Sequence, residues 1–300
     1  MKNGENLKLI KLHPCAKRIY KHDVGFLEIN WFKLVAKEMR IIFFRKKKLK
    51  KEKMKIAVLL KQVPDLAEEL EVDDSGKALD TEYIKFRLNE YDEHALEEAV
   101  CLKEAGEATE VTAIALDGEE VDKALFTAMA KGADKALKLT GAEAEGSRNA
   151  AALFSEALGS EYDLIMTGVQ SVDDREGMMG PMLSAMLKIP CISVVTRVDG
   201  GSSGVTVQKE YFGGLMAAFD VQTPAVLGIQ AARQTPRYAP VSKVRQIQQS
   251  ASIEEKSLNG STDSAQSEVT SMAPPVKTGG AKMLGSVDEL VELLKEKGVA

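Results

Sequence analysis

GVQSVDDREGMMGPM, at residues 168–182, is the most informative segment of the sequence. It follows a short apolar run, residues 163–167, that has the length and composition of a strand. It leads into a run with helical spacing that carries Met182, Ala185 and Met186. A strand that passes through a glycine-containing turn into a helix is the repeating unit of α/β folds.

The same alternation of strand and helix extends through the residues before this turn. Strands are predicted over residues 55–60, 111–116, 135–139 and 163–167, and helices over residues 92–104, 119–131 and 147–158. Strands that alternate with helices of about 10–15 residues form right-handed βαβ crossovers. We therefore expect an α/β fold with a doubly wound, mostly parallel sheet over residues 54–248.

The residues that follow the turn have a different pattern. Short strands are predicted over residues 191–198, 205–211, 215–220 and 225–229, as an antiparallel, strand-rich extension or cap of the same sheet. Residues 249–280 are rich in Ser, Thr, Gln, Gly and Pro, which is typical of a flexible linker. Residues 281–300 then form a C-terminal helical arm, with a helix over 287–297 that Ser286 and Glu289 begin as a capping box. So short a helix is expected to dock on its own domain or on a partner.

Residues 1–53 differ in composition from the rest of the chain. They hold 16 basic and 5 acidic residues, whereas the chain as a whole has a net charge of −5. Such a segment is consistent with a basic arm for anionic lipid or nucleic acid, or with a targeting peptide, although Lys-rich and Ser-free composition fits the latter poorly. The interpretation we favour is that residues 1–53 result from a wrongly assigned upstream start codon, because the codons of Lys51-Glu52 can form a ribosome-binding sequence just before Met54. Met54 is then the initiator in a prokaryote.

Composition narrows the classes of function. The chain has no run of about 18 uncharged apolar residues, so we expect no stable membrane insertion. Its three cysteines are scattered and show neither metal-ligand spacing nor a disulfide framework, which suits a reducing cytoplasm. We expect no metal site, and no nucleophile–base pair or other catalytic residue stands out.

Residues 168–182 also carry the clearest sign of a ligand. In an open parallel sheet, ligands bind beyond the carboxyl ends of the strands. Free N–H groups at a helix start attract phosphate, and Gly177 and Gly180 let the backbone approach closely, while Gly168 permits the turn off the strand. Asp173 and Asp174 repel phosphate, so ribose hydroxyls or the helix cap suit them better. Nucleotide binding and a plain loop-to-helix entry both remain open from the residues alone.

A second segment, residues 88–93 (LNEYDE), has two readings. Asn89 or Asp92 can serve as the N-cap of the first helix. Alternatively, Tyr91 lies at the carboxyl edge of the sheet as a flat surface for a ring system. The nearby His94 is expected to be structural.

Five segments taken in order resemble the beta subunit of electron transfer flavoproteins. They are MKIAVLLKQVPD at 54–65, NEYDEHALEEA at 89–99, AMAKGAD at 128–134, GVQSVDD at 168–174 and PRYA at 236–239. The resemblance covers nearly all of residues 54–300. It implies the adenine-nucleotide-binding type of doubly wound fold and an electron carrier that is not an enzyme.

The family resemblance also implies partners and ligands. It implies a heterodimer with an alpha subunit that holds most of a redox-active FAD, while the beta subunit binds AMP or, in electron-bifurcating members, a second FAD. The nucleotide contacts then fall on Leu59, Asn89, Glu90, Tyr91, Asp92, Leu116, Gly168, Val169, Gln170, Ser171, Val172, Asp173, Asp174, Arg175, Glu176, Gly177, Met178 and Met179. Tyr91 falls where the family has an aromatic residue near the flavin ring. The C-terminal helix resembles an arm that packs on the alpha subunit.

The resemblance further implies that electrons come from acyl-CoA or related dehydrogenases. The docking segment for these partners falls on Arg237, Tyr238 and Val241. Three residues depart from the family pattern: Met178 stands in place of Gln, Glu90 in place of Pro, and Val241 in place of the docking Leu. We expect no nucleic-acid partner.

Two other functions are alternatives to that of an electron carrier. One is a stand-alone adenine-nucleotide binder of the stress-protein type, without a redox role. The other is an ATP pyrophosphatase of related fold, which is disfavoured because the first strand is followed by KQVPD at residues 61–65 and not by a Ser/Gly-rich phosphate loop.

Overall fold

The computed structural model describes residues 53–299 except 83, 142, 143, 145, 202, 203, 259–268, 275, 277, 278 and 282. The strands are β1 Met54–Leu60, β2 Gln62–Pro64, β3 Phe86–Leu88, β4 Ala108–Leu116, β5 Lys135–Thr140, β6 Leu164–Gly168, β7 Cys191–Gly200, β8 Gly204–Glu210, β9 Met216–Gln222, β10 Ala225–Ile229 and β11 Glu254–Ser257. The α-helices are α1 Glu90–Glu104, α2 Val121–Lys131, α3 Gly146–Leu158, α4 Met179–Leu187, α5 Val241–Ser250 and α6 Val287–Glu296. The interpretation of residues 1–53 falls outside the described residues, apart from Lys53.

Nine strands form one sheet in the order β11-β5-β4-β1-β6-β10-β7-β8-β9. From β11 to β7 every neighbouring pair is parallel, and β8 and β9 extend the sheet as antiparallel strands. The chain proceeds outward from β1 to β4 and β5 on one side, and later builds β6 and its neighbours on the other. The strand order therefore reverses between β1 and β6, which is the switch point of a doubly wound sheet.

Strand β1 shows why the sheet is covered on both faces. Its residues alternate between the two hydrophobic cores: Ile56 and Val58 belong to one core, and Ala57 and Leu59 to the other. Successive side chains of a strand point to opposite faces, so a strand buried on both faces is apolar throughout. Helices α1 and α2 supply Leu96, Leu125 and their neighbours to the first core. Helices α3 and α4 supply Leu153, Phe154 and Leu183 to the second core.

The predicted fold class is confirmed, and the predicted strands and helices before residue 188 are all present. Helix α1 starts at Glu90, two positions before the predicted residue 92, and α2 starts at Val121 where residue 119 was predicted. Such shifts at element ends are the ordinary result of capping and fraying.

Two predictions for the second half of the chain differ from the structure. Strand β10 is not part of an antiparallel extension, because it lies between β6 and β7 and is parallel to both. Its AVLGI sequence is buried at every position, as in the central strands of parallel sheets. The expected linker contains β11, which pairs with β5. Val241, one of the predicted docking residues, is the first residue of helix α5, with Pro240 as its N-cap. The wider division of the chain into domains stays a prediction.

Among the described residues, the tip between β8 and β9 and helix α6 both present apolar side chains to solvent. The tip between β8 and β9 exposes Phe212, at 98%, and Leu215. The residues of α6 are all exposed or half-buried, with Val287, Leu290 and Val291 among the exposed apolar side chains. Ser286 accepts a hydrogen bond from the backbone N–H of Glu289, as the capping-box prediction requires.

Candidate functional site

A cavity of about 320 Å³ opens at the switch point between β1 and β6. It lies beyond the carboxyl ends of these strands, where ligands of doubly wound proteins bind. Eleven of the residues that were predicted to contact a nucleotide line it: Leu59, Asn89, Asp92, Leu116, Gly168, Gln170, Ser171, Asp174, Gly177, Met178 and Met179. The fold thus brings these residues, from four separate segments of the chain, together at one cavity.

The other predicted contact residues lie beside the cavity and not in its lining. They are Glu90, Tyr91, Val169, Val172, Asp173, Arg175 and Glu176. The hydroxyl of Tyr91 accepts a 3.3 Å hydrogen bond from the side chain of Gln170, which does line the cavity. Tyr91 is half-buried. Its predicted role as a surface for a ring system therefore stays a prediction.

Asp92 ties the two sides of the switch point together. One carboxylate oxygen accepts a hydrogen bond from the backbone N–H of Gly168, and the other accepts one from the backbone N–H of Lys61, both at 2.9 Å. Burial raises the pKa of Asp92 to about 7, although these two N–H groups act in the opposite direction. The ends of β1 and β6 are therefore held at a fixed separation by one side chain of α1.

Two glycines are required by the shape of the turn after β6. A Cβ atom on Gly168 would stand 2.5 Å from Oδ1 of Asp92 and 2.7 Å from Cβ of Tyr91, so no side chain fits there. Gly177 has a φ of +64°, in the left-handed region that glycine adopts without strain. Both residues line the cavity.

Lys61 supplies a positive charge at the cavity wall. Its Nζ lies 2.7 Å from Asp173, 3.4 Å from Asp174 and 3.2 Å from Oγ of Ser171. Burial alone would lower the pKa of Lys61, but the two carboxylates outweigh burial and raise it. Burial would raise the pKa of Asp173, but Lys61 outweighs that effect and lowers it. Lys61 and Asp173 therefore stay charged together, and Lys61 also lies within ion-pair distance of Asp174.

The start of α4 is open toward the cavity. Met178 occupies the N-cap position, and no side chain among the described residues accepts a hydrogen bond there. The expectation that Asp173 or Asp174 caps this helix is therefore wrong; Asp174 instead accepts the backbone N–H of Glu176 at 3.0 Å. Met178 and Met179 line the cavity, so the free N–H groups of the first turn lie beside it.

The N-cap prediction for α1 is correct in position, since Asn89 precedes Glu90. Its side chain makes no capping bond, however. The amide nitrogen of Asn89 donates instead to the backbone carbonyl of Gln170 at 3.0 Å. Asn89 therefore links α1 to the turn after β6, in parallel with Asp92.

Two buried oxygens at the cavity lack a partner. Oδ1 of Asn89 and Oε1 of Gln62 accept no hydrogen bond from any described residue. A buried polar atom without a partner costs roughly 1–3 kcal/mol. Both residues line the cavity, so a ligand with N–H or O–H groups can supply the missing donors. The residues present thus fit an adenosine phosphate.

Several lining residues were not predicted. They are Leu60, Lys61, Gln62, Phe86, Asp117, Gly118, Glu119, Val121, Ala144, Gly146, Ser147, Ala150, Phe154 and Thr167. Lys61 and Gln62 follow β1 directly, so their place at a carboxyl end could have been deduced from the strand prediction. Ser147 and Phe154 lie on α3, and only the packing of α3 over the sheet brings them to the cavity.

The three predicted docking residues differ in exposure. Tyr238 is 82% exposed and Val241 is also exposed. Arg237, by contrast, is engaged within the chain, where its guanidinium binds Glu97 at 2.9 Å and Glu104 at 2.7 Å. Arg237 therefore anchors the segment that precedes Tyr238. His94 is structural as expected, since its Nδ1 accepts the backbone N–H of Ala232.

The described part of the chain contains neither a metal-ligand cluster nor a helix suited to cross a membrane. Within it, no group of three or more His, Cys, Asp or Glu side chains is arranged to hold a metal ion. Among its helices, none combines the length and the apolar composition that crossing a bilayer requires.

The sheet order and the cavity define a doubly wound α/β protein with a candidate ligand site at its switch point. A family model described as "Electron transfer flavoprotein domain" matches residues 77–259. Similar proteins include "Electron transfer flavoprotein subunit beta" of Methylophilus methylotrophus, 34% identical over 68% of this chain and 80% of that protein. The protein of the same name from Dictyostelium discoideum is 31% identical over 81% of this chain and 98% of that protein.

The chain belongs to the electron transfer flavoprotein family, among its beta subunits. Proteins of this class are electron carriers and not enzymes, as the sequence resemblance implied. A more distant relative, the beta subunit of Bacillus subtilis, is 27% identical and likewise covers 81% of this chain.

Proposed function

We propose that this chain forms a heterodimer with an alpha subunit and carries electrons from acyl-CoA-type dehydrogenases in the cytoplasm of a prokaryote. In the heterodimer, the alpha subunit would hold most of an FAD, and that group would supply the redox chemistry when bound. The cavity of the chain itself holds AMP, or the adenylate part of a second FAD. The chain's own contribution is to orient these groups and to present docking surfaces.

The observation that carries this proposal is the pair of unpaired oxygens at the cavity, Oε1 of Gln62 and Oδ1 of Asn89. An adenylate offers the donors they lack, through its exocyclic amino group and its ribose hydroxyls. Occupancy of the cavity would therefore remove the cost of two buried unpaired acceptors.

The start of α4 suits the phosphate group. The uncapped first turn of α4 offers backbone N–H groups, and Gly177 lets the chain approach closely. Lys61 offsets the negative charge of Asp173 and Asp174, which would otherwise repel an anion. We assign the phosphate to the start of α4, and the ribose and base to the part of the lining near Gln62 and Asn89.

AMP is the better candidate of the two ligands. The cavity of about 320 Å³ lies at the low end of the range for small-molecule sites, about 300–1,000 Å³. A mononucleotide fits this space, whereas the flavin part of FAD would have to extend beyond it. Met178 stands at the lining in place of a polar family residue, so backbone N–H groups carry more of the phosphate contact.

The surfaces for partners are the exposed apolar elements. The apolar stripe of α6 suits an arm that packs on the alpha subunit, because a helix of ten residues gains stability mainly by burying such a stripe. Tyr238 and Val241, both exposed, are assigned to the docking of dehydrogenases. Tyr91 is assigned to the flavin ring of the alpha subunit.

The test is to coexpress the chain with an alpha subunit from the same host, purify the complex and identify the nucleotides that acid releases from it. We expect a yellow heterodimer that yields one FAD and one AMP. Two FAD molecules per heterodimer would assign the cavity to a second flavin. A colourless chain that does not copurify with the alpha subunit and binds ATP would overturn the proposal and favour a stand-alone nucleotide-binding protein.

A further inference from the structure

Two adjacent glutamates of α1, Glu97 and Glu98, are buried. Their exposed fractions are 2% and 0%. A buried carboxylate is unfavourable unless charged or N–H partners surround it. For both residues these partners come mainly from residues 232–237, a segment far away in the sequence.

Glu98 holds the beginning of this segment. One carboxylate oxygen accepts the backbone N–H of Val198 at 2.7 Å, and the other accepts the backbone N–H of Arg233 at 3.0 Å. The guanidinium of Arg233 adds a hydrogen bond of 2.8 Å from Nη2. Arg233 also donates to the carbonyl of Val198, so β7 and the segment are joined at the same point.

Glu97 holds the end of the segment. Its carboxylate accepts the backbone N–H of Arg237 at 2.9 Å and the side-chain amide of Gln234 at 2.6 Å. The guanidinium of Arg237 donates to the same carboxylate from both Nε and Nη2, in the bidentate geometry that fixes orientation most closely. We call Glu97, Glu98, Arg233 and Arg237 the ion-pair clamp.

The clamp takes the place of secondary structure. Residues 230–240, all of them described, form neither helix nor strand. Their backbone therefore depends for order on side chains of α1, including His94, which accepts the N–H of Ala232 at 3.1 Å. Tyr238 comes directly after the last clamped residue and is 82% exposed.

A buried ion pair often stabilises a fold less than apolar groups of similar size would. Its hydrogen bonds, however, fix the two side chains in one geometry. The clamp combines such pairs with an irregular segment that ends in exposed Tyr238 and, three positions later, exposed Val241. The arrangement suits a segment whose shape is needed for contact with another protein.

We propose that Glu97 and Glu98 are positioning residues, which hold residues 232–237 in the conformation that presents Tyr238 and Val241 to a redox partner. The inference rests on the proposed docking of dehydrogenases at these two residues. What the inference adds to that proposal is that the geometry of docking depends on the carboxylates of Glu97 and Glu98.

Hydrogen exchange of the unmodified heterodimer tests the clamp without any substitution. The amides of Ala232, Arg233 and Arg237 should exchange slowly, because each donates to a side chain of α1. The amide of Tyr238 should exchange fast. Uniformly fast exchange from 232 to 238 would overturn the proposal, whether or not any variant folds.

Kinetics of flavin reduction by an acyl-CoA dehydrogenase from the same host tests the functional part. Glu97→Gln keeps the size of the side chain but removes its charge, and should raise KM for the dehydrogenase about tenfold or more with kcat little changed. Glu98→Gln should act in the same direction. The matched control is Glu104→Gln, which removes an exposed partner of the same Arg237 and should change KM by less than about twofold.

Tyr238→Ala separates failure of the inference from failure of the proposed function. If Tyr238→Ala raises KM and Glu97→Gln adds little to it in the double variant, the clamp acts through Tyr238. If Tyr238→Ala raises KM while folded Glu97→Gln and Glu98→Gln leave it unchanged, the positioning role is wrong. If Tyr238→Ala has no effect on KM, the proposed docking surface is wrong instead.

Discussion

The carboxylate of Asp92 accepts a 2.9 Å hydrogen bond from the backbone N–H of Gly168, 76 positions further along the chain. Asp92 lies in the first turn of α1, and Gly168 is the last residue of β6. The same carboxylate binds the backbone of Lys61 just beyond β1. One buried acid therefore sets the width of the crevice in which the cavity lies, and its protonation should affect the stability of the whole site.

The pH dependence of unfolding should report on Asp92. Burial raises its pKa from 3.8 to about 7. Because the folded chain binds this proton more tightly than the unfolded chain, the stabilising contribution is complete below the unfolded pKa and is lost as the pH rises through the folded pKa. We expect the free energy of unfolding to fall by a few kcal/mol between about pH 4 and about pH 8 from this group alone.

Urea unfolding of the wild type and of Asp92→Asn over this pH range measures the effect. The variant cannot ionise and should show a flatter profile, although it loses one acceptor and should be less stable overall. Asp74→Asn, at an exposed position, serves as the control and should keep the wild-type slope. Equal slopes for wild type and Asp92→Asn would mean that Asp92 does not titrate in this range.

Lys61 should control the affinity for nucleotide. Lys61→Met leaves Asp173 and Asp174 without their cation, so an anionic phosphate at the neighbouring wall is repelled. We expect the Kd for AMP to rise by about tenfold or more, measured by titration calorimetry on nucleotide-stripped protein. Lys61→Arg should retain most of the affinity.

A second substitution tests the electrostatic reason for this effect. Adding Asp173→Asn to Lys61→Met removes one of the uncompensated charges and should recover part of the lost affinity. If the double variant binds as weakly as Lys61→Met, direct contact by Lys61 and not charge balance determines the affinity.

Gly168 should tolerate no side chain. In Gly168→Ala the new Cβ would stand 2.5 Å from Oδ1 of Asp92, so α1 and β6 must move apart. We expect a loss of about 1–3 kcal/mol in the free energy of unfolding. Gly118→Ala is the matched control, because no described atom lies within 4 Å of its added Cβ. The control should stay within about 0.5 kcal/mol of the wild type, and a similar loss in both variants would contradict the steric explanation.

The apolar stripe of α6 should affect assembly and not folding of the chain. Leu290→Asp places a charge on a stripe whose residues are exposed or half-buried in the chain alone. We expect the unfolding midpoint of the isolated chain to be unchanged and the recovery of heterodimer from a pull-down of tagged alpha subunit to fall. Glu292→Gln, also on α6, should leave recovery unchanged. Normal recovery with Leu290→Asp would exclude this stripe from the interface.

The first half of the fold could be predicted from sequence because its signals are local. Ile56 and Val58 alternate with Ala57 and Leu59 in a run that is apolar throughout, and such a run is typical of a strand with helices on both faces. Strand β10 was also predicted, but its neighbours in the sheet were not. The sequence AVLGI indicates that the strand is buried but does not indicate which strands pair with it. Strand β11, EEKS, has no apolar pattern at all, because it lies at the edge of the sheet and is exposed.

Part of the candidate site could likewise be predicted from the sequence. The glycines and acids of residues 168–179 follow a predicted strand, so their place at the carboxyl edge could be deduced. The pairing of Lys61 with Asp173 joins residues 112 positions apart and depends on the side-by-side position of β1 and β6. The ion pairs of Arg237 could not be deduced for a related reason: its partners Glu97 and Glu104 look like the solvated face of a helix until the segment after β10 is folded over them.

The free edge of β9 bears on how such a chain can be produced in a cell. Strand β9 ends the sheet, and beside it the tip with Phe212 and Leu215 is apolar and exposed. Unpaired strand edges attract other edges, and natural proteins usually shield them with charge, proline or a covering element. We therefore expect a surplus of this chain over its proposed alpha subunit to self-associate at high concentration, and balanced synthesis of the two polypeptides to reduce that loss.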